Sequence, residues 1–231
     1  MKTKMNVKRL LAVSLAAMMT ATAFAGCGNS GGSPSDSKAD SASTGTPMTN
    51  EEIIKKAAAE GKIGNWGLGN EYEILALLQK YDLPTTYLSQ DFTMDGFDQD
   101  DITLASAMSF NELGLVINDY DGGYKYGDTV GTIDMNDEGV AMLEDNIFCT
   151  KEFAKNNPNT VKAFVYASMK GWKYAVENPE EAAQIVFDAG SSVSSDHQLY
   201  MAQQVAKLVS TDTKGNAVSD YGNMDEEAMQ Q

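Results

Sequence analysis

Residues 62–73 of this chain read KIGNWGLGNEYE, and their pattern is the clearest indication of the fold. Lys62–Trp66 predicts a short strand, because its apolar residues lie between turn-forming ones. Gly67-Leu68-Gly69 predicts a tight turn, and Asn70 predicts the N-cap of a helix that continues to Tyr81. The helix would place Ile74, Leu77, Leu78 and Tyr81 on its inner face. The stretch therefore predicts a strand, a turn and a helix in direct succession.

The same alternation continues along the chain. Thr86–Ser89, Ile102–Ala107 and Asp128–Met135 are strand-like, and Ser109 with Glu112 predicts the start of another helix. Strands that alternate with helices favour an α/β architecture with a largely parallel sheet.

The C-terminal third predicts helices only. Asn157-Pro158 begins a helix that runs to Glu177, Asn178-Pro179 begins a second that Gly190 closes, and a third covers Asp196–Ser210. The first of these helices carries one apolar stripe, which we expect to be buried, with Trp172 in the core. Its members are Val161, Phe164, Val165, Ser168, Trp172, Ala175 and Val176.

The N-terminal 48 residues have the layout of a secretory leader and a tether. A basic start is followed by an apolar run, Leu10–Ala25, that is too short to span a bilayer. Phe24-Ala25-Gly26-Cys27 resembles the lipobox of bacterial lipoproteins, in which cleavage precedes an acylated cysteine. We expect a signal peptide over residues 1–26, a flexible Gly/Ser-rich tether over 27–48 and a globular domain over 49–231. The expected location is the cell envelope, lipid-anchored at the extracytoplasmic face of the membrane through Cys27.

The net charge of the chain limits the classes of partner that it is expected to bind. Residues 1–26 hold four of the 17 Lys and Arg and none of the 33 Asp and Glu, so the remainder carries a net charge of −20. Such an acidic chain argues against nucleic acid as a partner. The two cysteines give neither a disulfide framework nor a zinc spacing, and no metal or cofactor is expected. Cys149, in the strand-like run Asn146–Cys149, is expected to be a buried thiol, and His197 to be structural or exposed.

Four blocks resemble one family in the same order. They are residues 62–73, Ala105–Glu112 (with Phe110 where the family usually has Tyr), Asn136–Asp145, and Lys170–Ala175 with Asn178–Ala182. They look like the substrate-binding lipoproteins of ABC importers that bind thiamine pyrimidine precursors or riboflavin, a THI5-like group. The group shares its fold with the eukaryotic thiamine pyrimidine synthase.

This resemblance implies a type II periplasmic-binding-protein-like fold, in which two α/β lobes enclose a cleft. Residues 62–135 would form the second lobe, and residues 136–210 would return to the first lobe. Two such lobes need about 300 residues, and only residues 48–61 lie between tether and second lobe. The first lobe is therefore expected to be incomplete, followed by a helical C-terminal segment.

The implied function is capture of a small nitrogen heterocycle for ABC permease subunits, without bond chemistry and with no catalytic residue. Carboxylates would accept hydrogen bonds from amino groups on the ligand ring, and side-chain amides would either donate or accept. Aromatic side chains would stack on the ring. The candidate ligand-binding residues are Trp66, Asn70, Glu71, Tyr72, Ser109, Phe110, Asn111, Glu112, Asp137 and Glu138. Asp137 and Glu138 would lie at the crossing between lobes.

Helix N-capping is an alternative to ligand binding as the role of several of these carboxylates. Asn70-x-x-Glu73 and Ser109-x-x-Glu112 both have the capping-box pattern, as does Thr49-x-x-Glu52 in a first helix that Gly61 would end. Two other functions also stay open. One is a thiamine pyrimidine synthase-like protein, although its lysine, histidine and cysteine cluster have no counterpart here. The other is a non-functional fragment.

Overall fold

The computed structural model describes residues 47–142, 145–212, 214–218, 221–223, 226 and 228–230. It is a mixed α/β structure with a small parallel sheet, which confirms the α/β class. The predicted signal peptide, Cys27 and nearly all of the tether lie outside the described residues. Within the described part of the chain, no helix is both long and apolar enough to cross a bilayer.

The first part of the chain alternates helices and strands. Its elements are α1 (Asn50–Ala59), β1 (Ile63–Asn65), α2 (Tyr72–Lys80), β2 (Leu88–Ser89), α3 (Asp95–Asp98), β3 (Leu104–Ala105) and α4 (Glu112–Ile117). The strands are shorter than the predicted runs but lie within them. Asp128–Met135 was predicted as a strand, and this is wrong, because Gly127–Thr129 forms a 3-10 turn and no ladder includes the residues after it.

The three strands form a parallel sheet in the order β2-β1-β3. Gly64 in the central strand faces Leu88 on one side and Ala105 on the other. A Cβ atom at Gly64 would lie 2.6 Å from Cδ1 of Ile102 and 2.9 Å from Oε1 of Gln90, so only glycine fits between these side chains. The chain moves from β1 outward to β2 and then back across β1 to β3, so β1 and β3 enclose the point where the strand order reverses.

The core lies between this sheet and helices α1 and α2. Ile54, Ile63, Leu77 and Leu78 are the large side chains at its centre, and each is almost completely buried. The predicted inner face of α2 is confirmed, since Ile74, Leu77 and Leu78 are buried and Tyr81 is partly buried.

Helix starts were predicted with mixed success. The capping box of α1 is confirmed, because Thr49 and Glu52 exchange both hydrogen bonds, and Gly61 with φ +65° follows the end of the helix. Asn70 is not the N-cap of α2, which starts at Tyr72 behind Glu71 without a side-chain cap. Ser109 does not cap α4 either, since its N-cap residue is Asn111.

In the described residues the α-helices that follow are α5 (Lys151–Asn156), α6 (Pro158–Glu177), α7 (Pro179–Asp188) and α8 (Ser195–Val209), and a 3-10 turn covers Ala228–Gln230. The prolines at the first positions of α6 and α7 confirm both predicted starts. The expectation of a buried stripe on α6 is wrong: no residue of this helix is buried, Phe164 is 60% exposed and Trp172 is 42% exposed. The pattern requires an apolar partner surface, and the described residues cover the stripe only in part, since Val161, Ser168, Ala175 and Val176 are half-buried.

Cys149 lies in a stretch that precedes α5 and has no regular structure, since residues 145–150 belong to no helix or strand. Because these residues pair with no strand in the described part of the chain, the run is open to solvent, and Cys149 is exposed. The expectation of a buried thiol is therefore wrong.

Candidate functional site

Three polar side chains meet where the strands end. Asn65 at the end of β1 donates from Nδ2 to Oγ of Ser106 (2.9 Å), just beyond β3. Gln90, just beyond β2, donates from Nε2 to the Ser106 carbonyl (2.8 Å) and accepts at Oε1 from the Ser106 N–H (3.0 Å). Asn65 and Gln90 are both buried. In open parallel sheets, ligands bind outside these carboxyl ends, where the strand order reverses. The network therefore ties the three strand ends together beneath the expected binding position.

Asn65, Gln90 and Ser106 were not among the predicted site residues. A signal was present, since each is a polar residue at or just beyond the last residue of a strand. That signal gains meaning only when the order β2-β1-β3 is known, because the order brings the three ends together.

The loop after β1 has a strained backbone. Gly67, Leu68 and Gly69 have φ values of +68°, +59° and +99°, and Leu68 is a non-glycine residue in the left-handed region. Asn65 fixes the start of the loop by accepting at Oδ1 from the Gly67 N–H (2.7 Å). Glu71 fixes its end by accepting from the Gly69 N–H (2.7 Å). A carboxylate of the chain thus already occupies one of the N–H groups that could have bound an anion.

Trp66 stands between β1 and this loop. Its indole Nε1 atom is buried, and it has no hydrogen-bond partner among the described residues. A buried donor without an acceptor is costly, by about 1–3 kcal/mol. Asn70 and Tyr72 lie nearby in sequence and are exposed, so the aromatic ring of Tyr72 is accessible.

Glu73, the other half of the proposed capping box, makes a tertiary contact instead. Its Oε1 accepts from the N–H of Met142 (2.6 Å) and so ties α2 to a segment far along the chain. The capping alternative for Glu73 is therefore wrong.

The segment after β3 holds four candidates, and two of them are engaged with each other. Glu112 is buried and accepts from the Met108 N–H (3.0 Å) and from Nδ2 of Asn111 (2.9 Å). Ser109 is exposed and its carbonyl accepts from the hydroxyl of Tyr200 (2.8 Å), while Phe110 is partly buried. These contacts give Asn111 and Glu112 a structural role without a ligand.

A buried histidine extends this network to the C-terminal helices. Nε2 of His197 lies 2.8 Å from Oδ1 of Asn111, and Nδ1 lies 2.5 Å from the hydroxyl of Tyr120. Since an amide oxygen only accepts, Nε2 carries the proton and Tyr120 donates to Nδ1. Burial lowers the pKa of His197, which favours this neutral form. The structural interpretation of His197 is confirmed, and helix α8 is held against the segment that follows β3.

Glu138 is bonded to helices α1 and α2 rather than to the strand ends. It accepts from Nζ of Lys80 (2.7 Å), the hydroxyl of Tyr81 (2.6 Å) and Nδ2 of Asn50 (3.0 Å). The Lys80 ammonium and the Tyr81 hydroxyl lower the pKa of Glu138 to about 2. Asp137 is exposed. None of the three partners of Glu138 belongs to the loops after β1 and β3.

The candidates therefore divide into two loops at the strand ends and the pair Asp137 and Glu138, of which Glu138 is bound to α1 and α2. Trp66, Asn70, Glu71 and Tyr72 follow β1, whereas Ser109, Phe110, Asn111 and Glu112 follow β3. Within the described ranges, no group of three or more His, Cys, Asp or Glu side chains is arranged to hold a metal ion.

Comparison with known proteins gave one family match. Residues 59–182, slightly more than half of the chain, match the family model described as NMT1/THI5 like. Searches of curated proteins and of solved structures returned no match. The matched residues include β1, β2, β3 and both loops at the strand ends. The chain therefore belongs to the NMT1/THI5-like family.

Proposed function

We propose that this protein is the lipid-anchored solute-binding component of an ABC importer and captures a small nitrogen heterocycle, such as a thiamine pyrimidine precursor. The family match supports a binding role for a small molecule. The observation that carries the proposal is the reversal of strand order between β1 and β3, with the candidate loops directly after both strands.

The groups at this position suit a ring that carries amino groups. The unpartnered N–H of Trp66 would donate to a ring nitrogen. Glu71 would accept from an amino substituent, and Tyr72, which is 58% exposed, would stack on the ring. The Gly69 N–H is already bound by Glu71, which disfavours an anionic ligand at this loop. In this role the protein binds and delivers its ligand without changing any covalent bond.

Fluorescence and melting test ligand binding on one sample. The chain has two tryptophans, so Trp172→Phe leaves Trp66 as its single indole. Titration with pyrimidine precursors, thiamine and riboflavin should change the fluorescence for one compound class. At one hundred times its dissociation constant, that compound adds about 2.7 kcal/mol of stability, or roughly 5–10 °C in Tm. If no compound changes either the fluorescence or the Tm, the proposed ligand class is refuted.

Trp66→Phe tests the indole donor itself. The substitution keeps an aromatic ring but removes the N–H, so affinity should fall about 5- to 10-fold, as expected for one hydrogen bond. Trp172→Phe is the matched control and should leave affinity unchanged. Equal affinity of both variants would remove Trp66 from the site.

The state of the bound compound separates binding from synthase-like chemistry. Mass spectrometry of the compound released by denaturation should return its original mass. A consistently altered product would favour the synthase-like alternative.

The lipid anchor is tested independently of the ligand. Expression in a bacterium should give a membrane-associated protein whose N-terminal residue is acylated Cys27, as read by peptide mass spectrometry. Cys27→Ser should release the protein from the membrane fraction. Membrane association of that variant with an intact leader would contradict the lipoprotein assignment.

A further inference from the structure

The loop of residues 66–70, which follows β1, is held by polar contacts rather than by packing. Leu68 at its tip is 90% exposed, although its backbone has a left-handed conformation with φ +59°. Such a conformation is unfavourable for leucine and persists only where other contacts fix the backbone. Glu71 bonds the Gly69 N–H, but this contact lies within the loop and its continuation and does not join the loop to the sheet.

One buried amide, the side chain of Asn65, bonds to both ends of this loop. Its Oδ1 accepts from the Gly67 N–H (2.7 Å), and its Nδ2 donates to the Asn70 carbonyl (3.3 Å). Nδ2 also donates to Oγ of Ser106 (2.9 Å), which lies just beyond β3. Asn65 is 2% exposed. The amide therefore closes the loop from below and anchors it on the segment after the neighbouring strand.

The partners of this side chain require an amide. Oγ of Ser106 donates to the Gly64 carbonyl (2.9 Å), so it has to accept from Asn65. The Asn70 carbonyl can only accept, and the Gly67 N–H can only donate. Position 65 thus needs one acceptor and two donors on one short side chain. A carboxylate has no donor and a hydroxyl has only one.

We propose that Asn65, anchored on Ser106, is a positioning residue of the binding site. It holds the loop in its binding conformation before the ligand arrives, and it does not touch the ligand itself. Trp66 directly precedes Gly67, so the same restraint keeps the indole N–H, which has no partner among the described residues, available to a ligand. The effect on affinity rests on the proposed ligand-binding function, whereas the state of the loop does not depend on it.

A positioning role has a kinetic signature. When the binding conformation is populated for only a fraction of the time, the apparent association rate constant falls by that fraction. The bound complex keeps all its contacts, so its dissociation rate constant does not change. A residue that contacts the ligand acts mainly on the dissociation rate constant instead. The two rate constants therefore separate a positioning residue from a contact residue.

The state of the loop is tested first, without any ligand. Asn65→Asp keeps the size of the side chain and the acceptor for the Gly67 N–H, but it replaces the donor nitrogen by a carboxylate oxygen. In the full chain with Trp172→Phe, acrylamide quenching of Trp66 fluorescence should increase at least about 2-fold, because the released loop uncovers the indole. Quenching equal to that of the parent would overturn the proposal.

Asn50→Asp is the matched control for this variant. Nδ2 of Asn50 on α1 donates to a carboxylate oxygen of Glu138 (3.0 Å), so this substitution also exchanges a donor for a carboxylate beside an acceptor. It should lower the Tm and leave the quenching of Trp66 unchanged. The same increase in quenching in both Asp variants would mean that general loss of stability opens the loop, and it would overturn the positioning role.

Ser106→Ala supplies a milder variant, which decides the question if the circular dichroism of Asn65→Asp shows an unfolded chain. It removes the anchor of the amide and leaves the bonds of Asn65 to the loop in place. The quenching of Trp66 should rise in the same direction, by less than in Asn65→Asp. Unchanged quenching in a folded Ser106→Ala variant would refute the anchoring.

Binding kinetics then test the effect on the ligand site. Surface plasmon resonance with pyrimidine precursors, thiamine and riboflavin should show an association rate constant that is about 10-fold lower in Asn65→Asp, with an unchanged dissociation rate constant. Trp66→Phe should instead raise the dissociation rate constant. Faster dissociation from Asn65→Asp would make Asn65 a contact residue and overturn the proposal. If the parent binds none of the compounds, the proposed function fails, and the quenching experiment still decides whether Asn65 holds the loop.

Discussion

Residues 49–140 and residues 150–210 both carry amphipathic helices, but large apolar side chains are buried only in the first region. In the first region, α1 and α2 cover the sheet, and Ile54, Leu77 and Leu78 are almost completely buried. In the second region, the 20-residue α6 has an apolar stripe and no buried residue. The difference shows that an amphipathic pattern specifies a face, whereas burial also requires a surface to receive it.

The largest contrast is expected between equivalent truncations in the two regions. Leu77→Ala should lower the free energy of unfolding by about 3–4 kcal/mol, because a fully buried leucine leaves a cavity. Phe164→Ala on α6, which is 60% exposed, should cost less than about 1 kcal/mol. Urea denaturation of the two variants measures both values. Equal losses would mean that α6 is covered in solution.

Glu138 provides the next test, since it joins α1, α2 and the segment after residue 133. Glu138→Gln should lower the free energy of unfolding by about 2 kcal/mol, because Lys80 and Tyr81 lose their charged acceptor. The Glu138 pKa is lowered from 4.5 to about 2, so its contribution is complete above pH 4.5 and disappears as the pH falls towards 2. Denaturation curves across this range should therefore converge for the parent and the variant. Curves that stay parallel would contradict this.

Two glycines, Gly114 in α4 and Gly171 in α6, allow a matched pair of alanine substitutions. A Cβ atom at Gly114 would clash with the ring of Tyr200, whereas one at Gly171 on α6 meets nothing within 4 Å. Gly114→Ala should displace the ring and cost about 1–2 kcal/mol. Gly171→Ala should gain about 0.5–1 kcal/mol from helix propensity. Hydrogen exchange of α8 amides should accelerate only in Gly114→Ala, and no acceleration there would argue against the docking of Tyr200.

The smallest effect concerns the buried histidine that holds α8. The folded-state pKa of His197 lies below 6.5, so the unfolded chain takes up a proton first and stability falls as the pH drops below 6.5. The slope is limited to about 1.4 kcal/mol per pH unit for one proton. His197→Gln should remove this dependence of the free energy of unfolding on pH. The loss of stability below pH 4.5 that involves Glu138 should remain. A slope that persists in the variant would assign it to another group.

Local signals account for the helices that were predicted well. The capping box at Thr49, the prolines at 158 and 179, and the spacing of Ile74, Leu77 and Leu78 act through neighbouring residues, so the chain reveals them directly. Strands were predicted less well, because a strand forms only with a partner: residues 128–135 have an apolar pattern but no neighbour in the sheet.

For the candidate site, the sequence identified the two loops but not what holds them. Trp66–Tyr72 and Ser109–Glu112 were both expected near a ligand, and they follow strands that lie side by side. Asn65, Gln90 and Ser106, which connect the strand ends, were missed because their contacts span up to 41 residues. Glu138 was expected to bind ligand at the crossing between lobes, whereas the structure shows its carboxylate bound to Lys80 and Tyr81.

The α/β class, the helix starts at Thr49 and at the two prolines, and the resemblance to the family could all be inferred from short patterns of neighbouring residues. Which apolar faces are buried, which carboxylates already have partners and which loops meet became apparent only in the folded chain. Those outcomes depend on the order β2-β1-β3 and on contacts such as His197 with Asn111, which join residues far apart in sequence. Long-range pairing is set by the whole fold, and no local pattern specifies it.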